Sequence, residues 1–422
     1  MARLNATTEL LDFAMARHTL PPLVRADAKR LLADTLAVGA AGATAPGAEA
    51  ILAVARGWGT GSEARLLGSD ERLPAASAAF VNGFRIHCLE WDAVHEPAVV
   101  HALSVVTAAL GAAIDRQGGC DAEEALTALA VGVDIAAGLG LAATSPLKFF
   151  RPATAGCLGA ALAVARLTGA PAADALGLAY SSLSGTMQAH VEGSIALPFQ
   201  IAGAARVAVV AADLAKAGFT GPYDVLEGPY GYFRFFEEGE LTNYTRELGR
   251  KWRISEVSVK PYPSGRASHG VLGVLADVGH AEELVAYVPP LVHRLVGREW
   301  REDMTPAYAR LCLPFLSALM LQNGHIDPRK FTVSAFLDPK LREIGERLRV
   351  FPDKNADLNA LSPQIVVVDG REHRVSHTLG SPEAPLSAAQ SQAKYDLARE
   401  LSGQVADLRL FDQPSAYWTE PR

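Results

Sequence analysis

The feature that most constrains this chain is a run from residue 6 to about residue 217 in which Ala/Leu/Val-rich stretches alternate with short Gly, Pro and Ser breaks. Within each stretch the apolar residues recur at helical spacing, so this half reads as all-helical. The predicted helices are 6–17, 22–42, 46–57, 73–90, 103–117, 121–142, 154–168, 171–186 and 199–217. Asp121, with Glu124 three residues later, reads as a capping box, and Gly118 and Gly169 suit helix C-termini. Several of these helices carry Ala and Gly on every face. Such helices pack closely and are wholly buried, which predicts a bundle with a central layer and a subunit interface large enough for a homodimer.

The pattern changes near residue 253. There ISEVSVKPYP reads as a strand, 267–279 as a helix, LVHRLVG (291–297) as a second strand, and 306–323 and 338–349 as helices. Residues 363–379 read as a hairpin turning at Asp369 and Gly370. A helix is expected again at 387–402. The expected fold is mainly α: an all-helical bundle domain from 1–255 and 387–422, and a smaller α/β lid domain over 256–386. Glycines at 57–68 lack both a preceding strand and a phosphate-loop lysine, so no nucleotide loop is predicted.

Composition narrows the classes of function. The 422 residues are 49% hydrophobic and 20% charged, ordinary for a globular protein of one large or two smaller domains. A net charge of −7 without a Lys/Arg cluster argues against a nucleic-acid partner. Cys88, Cys120, Cys157 and Cys312 are widely spaced in apolar surroundings and read as reduced thiols, neither a disulfide framework nor a metal cluster. Glu9, Asp12 and Arg17 interrupt the first helical run, so it is not read as a signal peptide. No stretch of about twenty residues reads as a membrane span. A cytoplasmic protein is expected.

Chemistry concentrates in residues 82–101, NGFRIHCLEWDAVHEPAVVH. His87, Glu90, Asp92, His95, Glu96 and His101 can exchange protons near neutral pH, and Pro97 breaks any continuous helix, placing the later residues on a loop. His95 and His101 lie six apart with a proline between them, so they do not share a helical face as zinc-binding histidine pairs do; no metal is expected. The competing assignment is that His87 and Glu90, three apart, are a pair on a helix surface.

Several motifs in order carry a resemblance: VNG at 81–83, His87 leading into EWDAVHEPAVVH, RPATAGCLGAALAVARLTG at 151–169, KPYPSGRASH at 260–269 and GSPEAPLS at 380–387. Over nearly its whole length the chain resembles the MmgE/PrpD family. The resemblance implies a helical bundle capped by a small α/β lid, a homodimer, no metal or other cofactor, and a site between bundle and lid for a small di- or tricarboxylate. Carried over by position, it places a carboxylate at Glu90, a histidine at His101 and a lysine at Lys260 as catalytic residues.

Departures from the family pattern are equally specific. Ala93, Val94 and Ala102 replace an Asp, a Thr and a Pro; Arg151 stands where a histidine is expected, Leu197 for a lysine, Gly265 for a histidine and Phe315 for a tyrosine. Asp92, His95, His190, Glu192, Arg151, Arg266 and His269 are candidates to bind substrate in their stead. Arginine suits that task because its planar fork bonds a carboxylate through two parallel N–H groups. For Arg151 and Arg266 the alternative is a surface ion pair.

The implied chemistry removes a proton, or CO₂, next to a carboxylate, with His101 as base, Lys260 as cation or acid, and Glu90 either orienting His101 or taking the proton itself, its pKa raised by burial. Three readings follow: a lyase that dehydrates or decarboxylates a polycarboxylate, an isomerase or epimerase of a substrate such as iminodisuccinate, and a non-catalytic binding or scaffold protein that keeps the fold.

Overall fold

Ala and Gly on every face of a helix remove the bulk that normally holds helix axes apart. The computed structural model, which describes residues 6–403 and 405–421, shows the consequence. Helices Ala122–Ala142 and Arg151–Thr168 cross where Gly132 faces Gly159, so closely that a Cβ at Gly159 would run into the Gly132 carbonyl oxygen. Helices Ala102–Arg116 and Ala196–Lys216 pack on Arg151–Thr168, and Ala75–His87 packs on those two. Their buried faces form one hydrophobic core with residues up to Val259 and with Ala398, Leu410, Tyr417 and Trp418 from the chain's end.

The return of the chain is fixed by capping and charge. Ser387 and Gln390 form a reciprocal capping box that starts helix Ala388–Leu401, which packs on helix Pro22–Ala41. Lys394 of the former reaches Asp34 of the latter at 2.6 Å, both buried.

A second core spans Ala267 to Val368. It covers a four-stranded sheet in the order Leu348–Pro352, Leu284–Val288, Gln364–Val368, Arg371–Val375. Leu284–Val288 runs parallel to Leu348–Pro352 and antiparallel to Gln364–Val368. The expected hairpin is present: Asp369 (φ 48°) and Gly370 (φ 81°) take the left-handed conformations that a tight two-residue turn requires.

Elsewhere in this domain the structure corrects the sequence expectations. Residues 291–297 are not a strand; Pro290–Val296 is a helix, because Pro289 and Pro290 preset the backbone angle of a helix start and the apolar residues pack on one side. The strand lies just before it, at Leu284–Val288. The expected strand in ISEVSVKPYP is a 3₁₀ turn, Arg253–Glu256, followed by a single antiparallel bridge between Ser258 and Val94. Helix 306–323 is two pieces, Pro306–Ala309 and Leu313–Asn323, the second with Pro314 in its first turn. Helix 338–349 ends at Glu346 and becomes the strand Leu348–Pro352.

The membrane expectation also changes. Helices Ala122–Ala142 and Ala196–Lys216 are long and apolar enough to cross a bilayer, although 94% of the first one's apolar window is buried inside the bundle. The second is more exposed, with Phe199, Val210 and Leu214 on its outer side.

Candidate active site

The loop between helices Ala75–His87 and Ala102–Arg116 is where the two cores meet. Pro97 stops helix formation, and the loop closes on itself through a bridge between His95 and Val100. Glu90 (φ 54°) and Val99 (φ 53°) are held in the left-handed region, which costs a non-glycine residue about 1–3 kcal/mol and persists only where surroundings enforce it. The enforcement comes from the segment 258–266 that leads into the second core. Val94 and Ser258 exchange backbone hydrogen bonds of 3.0 and 2.9 Å. Trp91 Nε1 donates to the Pro261 carbonyl at 3.2 Å, and Arg266 Nε donates to Glu96 Oε1 at 2.9 Å.

Asp92 is the centre of the first cluster. It is fully buried, and its carboxylate accepts from His87 Nδ1 at 3.0 Å, from His101 Nδ1 at 3.0 Å and from the Ser104 hydroxyl. Burial pushes this carboxyl up, but the two imidazoles outweigh it and hold Asp92 well below the usual carboxylate range. A carboxylate can only accept, so both Nδ1 atoms donate, and His101 in its neutral form keeps a lone pair on Nε2. That Nε2 has no hydrogen-bond partner among the described residues, and His101 lines the cavity between the domains.

The two histidines are pushed apart in acidity. Burial and the ammonium of Lys260 outweigh the pull of Asp92 and hold His101 below the ordinary imidazole value; its place at the N-terminus of helix Ala102–Arg116 acts in the same direction. Burial also lowers His87, but Asp92 and Glu90 together outweigh it and raise that ring. His87 Nε2 lies 3.5 Å from Glu90 Oε1, the position an imidazolium favours. The surface pair considered for His87 and Glu90 is therefore corrected: His87 is 1% exposed and bridges two carboxylates.

Glu90 forms the second cluster with Lys260. Lys260 Nζ donates to Glu90 Oε2 at 2.9 Å and to the Glu90 backbone oxygen at 3.0 Å, leaving one of its three protons uncommitted among the described residues. The expectation that burial would raise Glu90 is overturned. Burial does push it up, but Lys260, His87 and His101 together bring it down to about 2. Glu90 is thus a carboxylate at working pH and not a base of useful strength. Nor does it orient His101; Asp92 does.

Glu90, His101, Arg151, His190 and Arg266 border a cavity of about 80 Å³, with Leu197 and Gly265 in its wall. Glu90 and Leu197 also border a wider cavity of about 480 Å³, lined further by His87, Cys88, Glu192 and Arg310. Arg151 is ion-paired, but buried and with Glu237 at 2.7 Å, not at the surface. Arg266 spends its guanidinium on Glu96 and on the carbonyls of Thr378 and Leu379. His190 accepts from Arg298 at 3.0 Å, and burial and that arginine lower it to about 4, so it is neutral.

The other candidates lie apart from His101. His95 bonds Glu256 at 3.2 Å and accepts from the Ala98 N–H, holding the loop from behind. His269 bonds the Ser264 hydroxyl inside the second domain, and burial and Arg266 hold it well below the imidazole range. Glu192 is exposed and accepts from Gln188. Phe315 faces Trp300, Phe331 and Phe336 in the second core.

Sequence reasoning missed Ser104, Arg298 and Arg310. Ser104, three residues after His101 in a helix, follows from helical spacing; the two arginines stand in unremarkable stretches with no local signal.

His87, Asp92 and His101 place potential metal-ligand atoms within 4.8 Å of one another. Both ring Nδ1 atoms are engaged as donors to Asp92, so ligation there would cost both hydrogen bonds and the orientation of His101. The donor set suits proton chemistry better than an ion.

Comparison with known proteins gives a consistent family. The MmgE/PrpD N-terminal domain matches residues 13–245 and the MmgE/PrpD C-terminal domain residues 265–408. The cis-aconitate decarboxylase of Homo sapiens is 26% identical over 396 residues, covering 87% of this chain and 82% of that protein. The cis-aconitate decarboxylase of Mus musculus is 24% identical over 367 residues, covering 80% and 74%. That of Aspergillus terreus is 27% identical over 318 residues, covering 69% and 63%.

Proposed function

The chain belongs to the MmgE/PrpD family, and on that footing we propose that it is a lyase acting on a small di- or tricarboxylate, with His101 moving the proton. The observation that carries this reading is the His101 side chain itself: neutral, fixed through Nδ1 to a buried carboxylate, and free at Nε2 beside the Glu90–Lys260 pair. A base needs a pKa near or below working pH and a fixed approach, and this histidine has both.

Nε2 of His101 removes a proton from a carbon next to a carboxylate. The negative charge that develops on that carboxylate lies beside the Glu90–Lys260 pair, where the fully buried Lys260 ammonium supplies the nearby positive charge. In a dehydration the electron pair forms the new C=C bond while a hydroxyl leaves, taking a proton to depart as water. In a decarboxylation no C–H proton is removed first: the C–CO₂ bond breaks, the pair remaining on carbon is spread into the neighbouring carboxylate, and His101, having taken a proton from solvent at Nε2, delivers it to that carbon. Both outcomes use the same two residues.

Proton NMR in D₂O with citrate, 2-methylcitrate, cis- and trans-aconitate and iminodisuccinate tests the proposal, with His101→Ala as control. New alkene or methylene signals that vanish in the variant are expected. Deuterium exchange without a new species would replace the lyase by an epimerase or isomerase. Silence from every acid would leave the binding or scaffold reading.

A further inference from the structure

Arg310 is a buried charge without a counter-charge among the described residues. It is 5% exposed, yet its side chain has no ion pair and no hydrogen bond among the described residues, and its Nε is buried without a partner. Phe331, with its ring 5.3 Å from the guanidinium, supports one face of the group without neutralising it. The backbone is firmly placed: the Arg310 carbonyl accepts from the Gly265 N–H at 3.0 Å, which ties the residue to the segment that carries Lys260.

Two other buried arginines that border the site are paired, while Arg85 bonds only the Leu67 carbonyl. Arg151 has Glu237, and Arg266 has Glu96 and two carbonyls. Arg310 instead lines the wider cavity, beside Cys88, whose thiol burial pushes up to about 12 and keeps neutral, and beside Glu90, which Lys260 already occupies. A buried guanidinium without a counter-charge lowers stability, and a chain keeps such a group where a ligand supplies the missing charge.

We infer that Arg310 binds a carboxylate of the substrate, one remote from the carbon that reacts at His101. The inference rests on the polycarboxylate reading above and adds the group that recognises the second acid function. Because Glu90 and Leu197 border both cavities, a substrate with its reacting carbon at His101 extends past Glu90 into the wider space, where the Arg310 fork meets it through charge-assisted N–H···O bonds. Specificity for acids with an additional carboxylate is the consequence.

The test is calorimetric binding of two unreactive probes: tricarballylate, and butyrate, which has a single carboxylate. Wild type is expected to bind tricarballylate more tightly. Arg310→Met should weaken tricarballylate roughly 10- to 100-fold, the range for a lost hydrogen bond to a charged group, while leaving butyrate nearly unchanged. Arg310→Lys should recover part of the loss, and the melting temperature of Arg310→Met should equal or exceed that of wild type. Equal tricarballylate affinity in wild type and Arg310→Met would overturn the role of Arg310 and leave the polycarboxylate reading standing. So would equal weakening of both probes together with a lower melting temperature, the mark of a structural residue. A wild type that binds neither probe would overturn the polycarboxylate reading and this inference with it.

Discussion

Two carboxylates two residues apart on one loop, Asp92 and Glu90, have been given opposite tasks by what faces them. Asp92 points into the bundle, where two imidazoles and the Ser104 hydroxyl use up its acceptor capacity. Glu90 takes a left-handed backbone conformation, meets Lys260 from the segment that leads into the second core and borders both cavities. One cluster sets the state of a base and lies within the bundle; the other joins the domains and presents charge to whatever enters. The type of residue decides little here, and the direction of the backbone decides most.

The largest expected effect comes from removing the base. His101→Ala should lower kcat about 10²- to 10⁴-fold with KM changed only a few-fold, read by steady-state kinetics on the substrate that the NMR screen identifies. A smaller loss would mean that another group removes the proton. Asp92→Asn should come next: it removes the acceptor for two rings, frees His101 to take the wrong tautomer, and lowers stability by about 3–5 kcal/mol as a broken buried charge cluster does, measurable by urea unfolding. Glu90→Gln breaks the other cluster and leaves Lys260 without its counter-charge. Its signature should be a change in KM and in inhibition by polycarboxylates larger than that of Asp92→Asn, and identical signatures for the two variants would erase the distinction between the clusters.

Acid should act on His101 and on the two carboxylates in separate windows. His101, held below its unfolded value of about 6.5, binds a proton less readily when folded, so stability begins to fall as pH drops below 6.5 and kcat/KM falls only at lower pH. Glu90, at about 2 when folded against an ordinary 4.5, contributes stability that is complete above 4.5 and lost as pH falls towards 2. Urea unfolding as a function of pH should therefore show a shallow loss followed by a steeper one. The smallest effect belongs to His95→Gln, because that ring bonds Glu256 and Ala98 behind the loop and not in the cavity: activity within about threefold of wild type is expected, with a stability loss of about 1 kcal/mol.

The sequence made the bundle legible because Ala/Gly-rich amphipathic periods leave few alternatives, and the hairpin legible because Asp369–Gly370 favours one turn. The second domain was harder. In 291–297 a short apolar run suits strand or helix alike, and only the two preceding prolines settle it. At the site, His101, Glu90 and Lys260 stood out by motif, but the exchange of roles between Glu90 and Asp92 depends on the Glu90 backbone angle, which no residue type announces. Arg310 was invisible for a related reason: its importance lies in the absence of a partner, a property of the packed molecule and not of the stretch around it.

The central claim is that burial and Lys260 hold His101 neutral while Asp92 fixes its proton on Nδ1, and that His87 beside it is the more basic ring. Histidine-selective ¹⁵N NMR between pH 5 and 8, with the two rings assigned by His87→Gln and His101→Gln, reads both states directly. The account predicts that His101 shows a protonated Nδ1 and a bare Nε2 at pH 7 and titrates below 6.5, while His87 remains an imidazolium to higher pH. A proton on Nε2 of His101 at pH 7, or titration of His101 above that of His87, would contradict it.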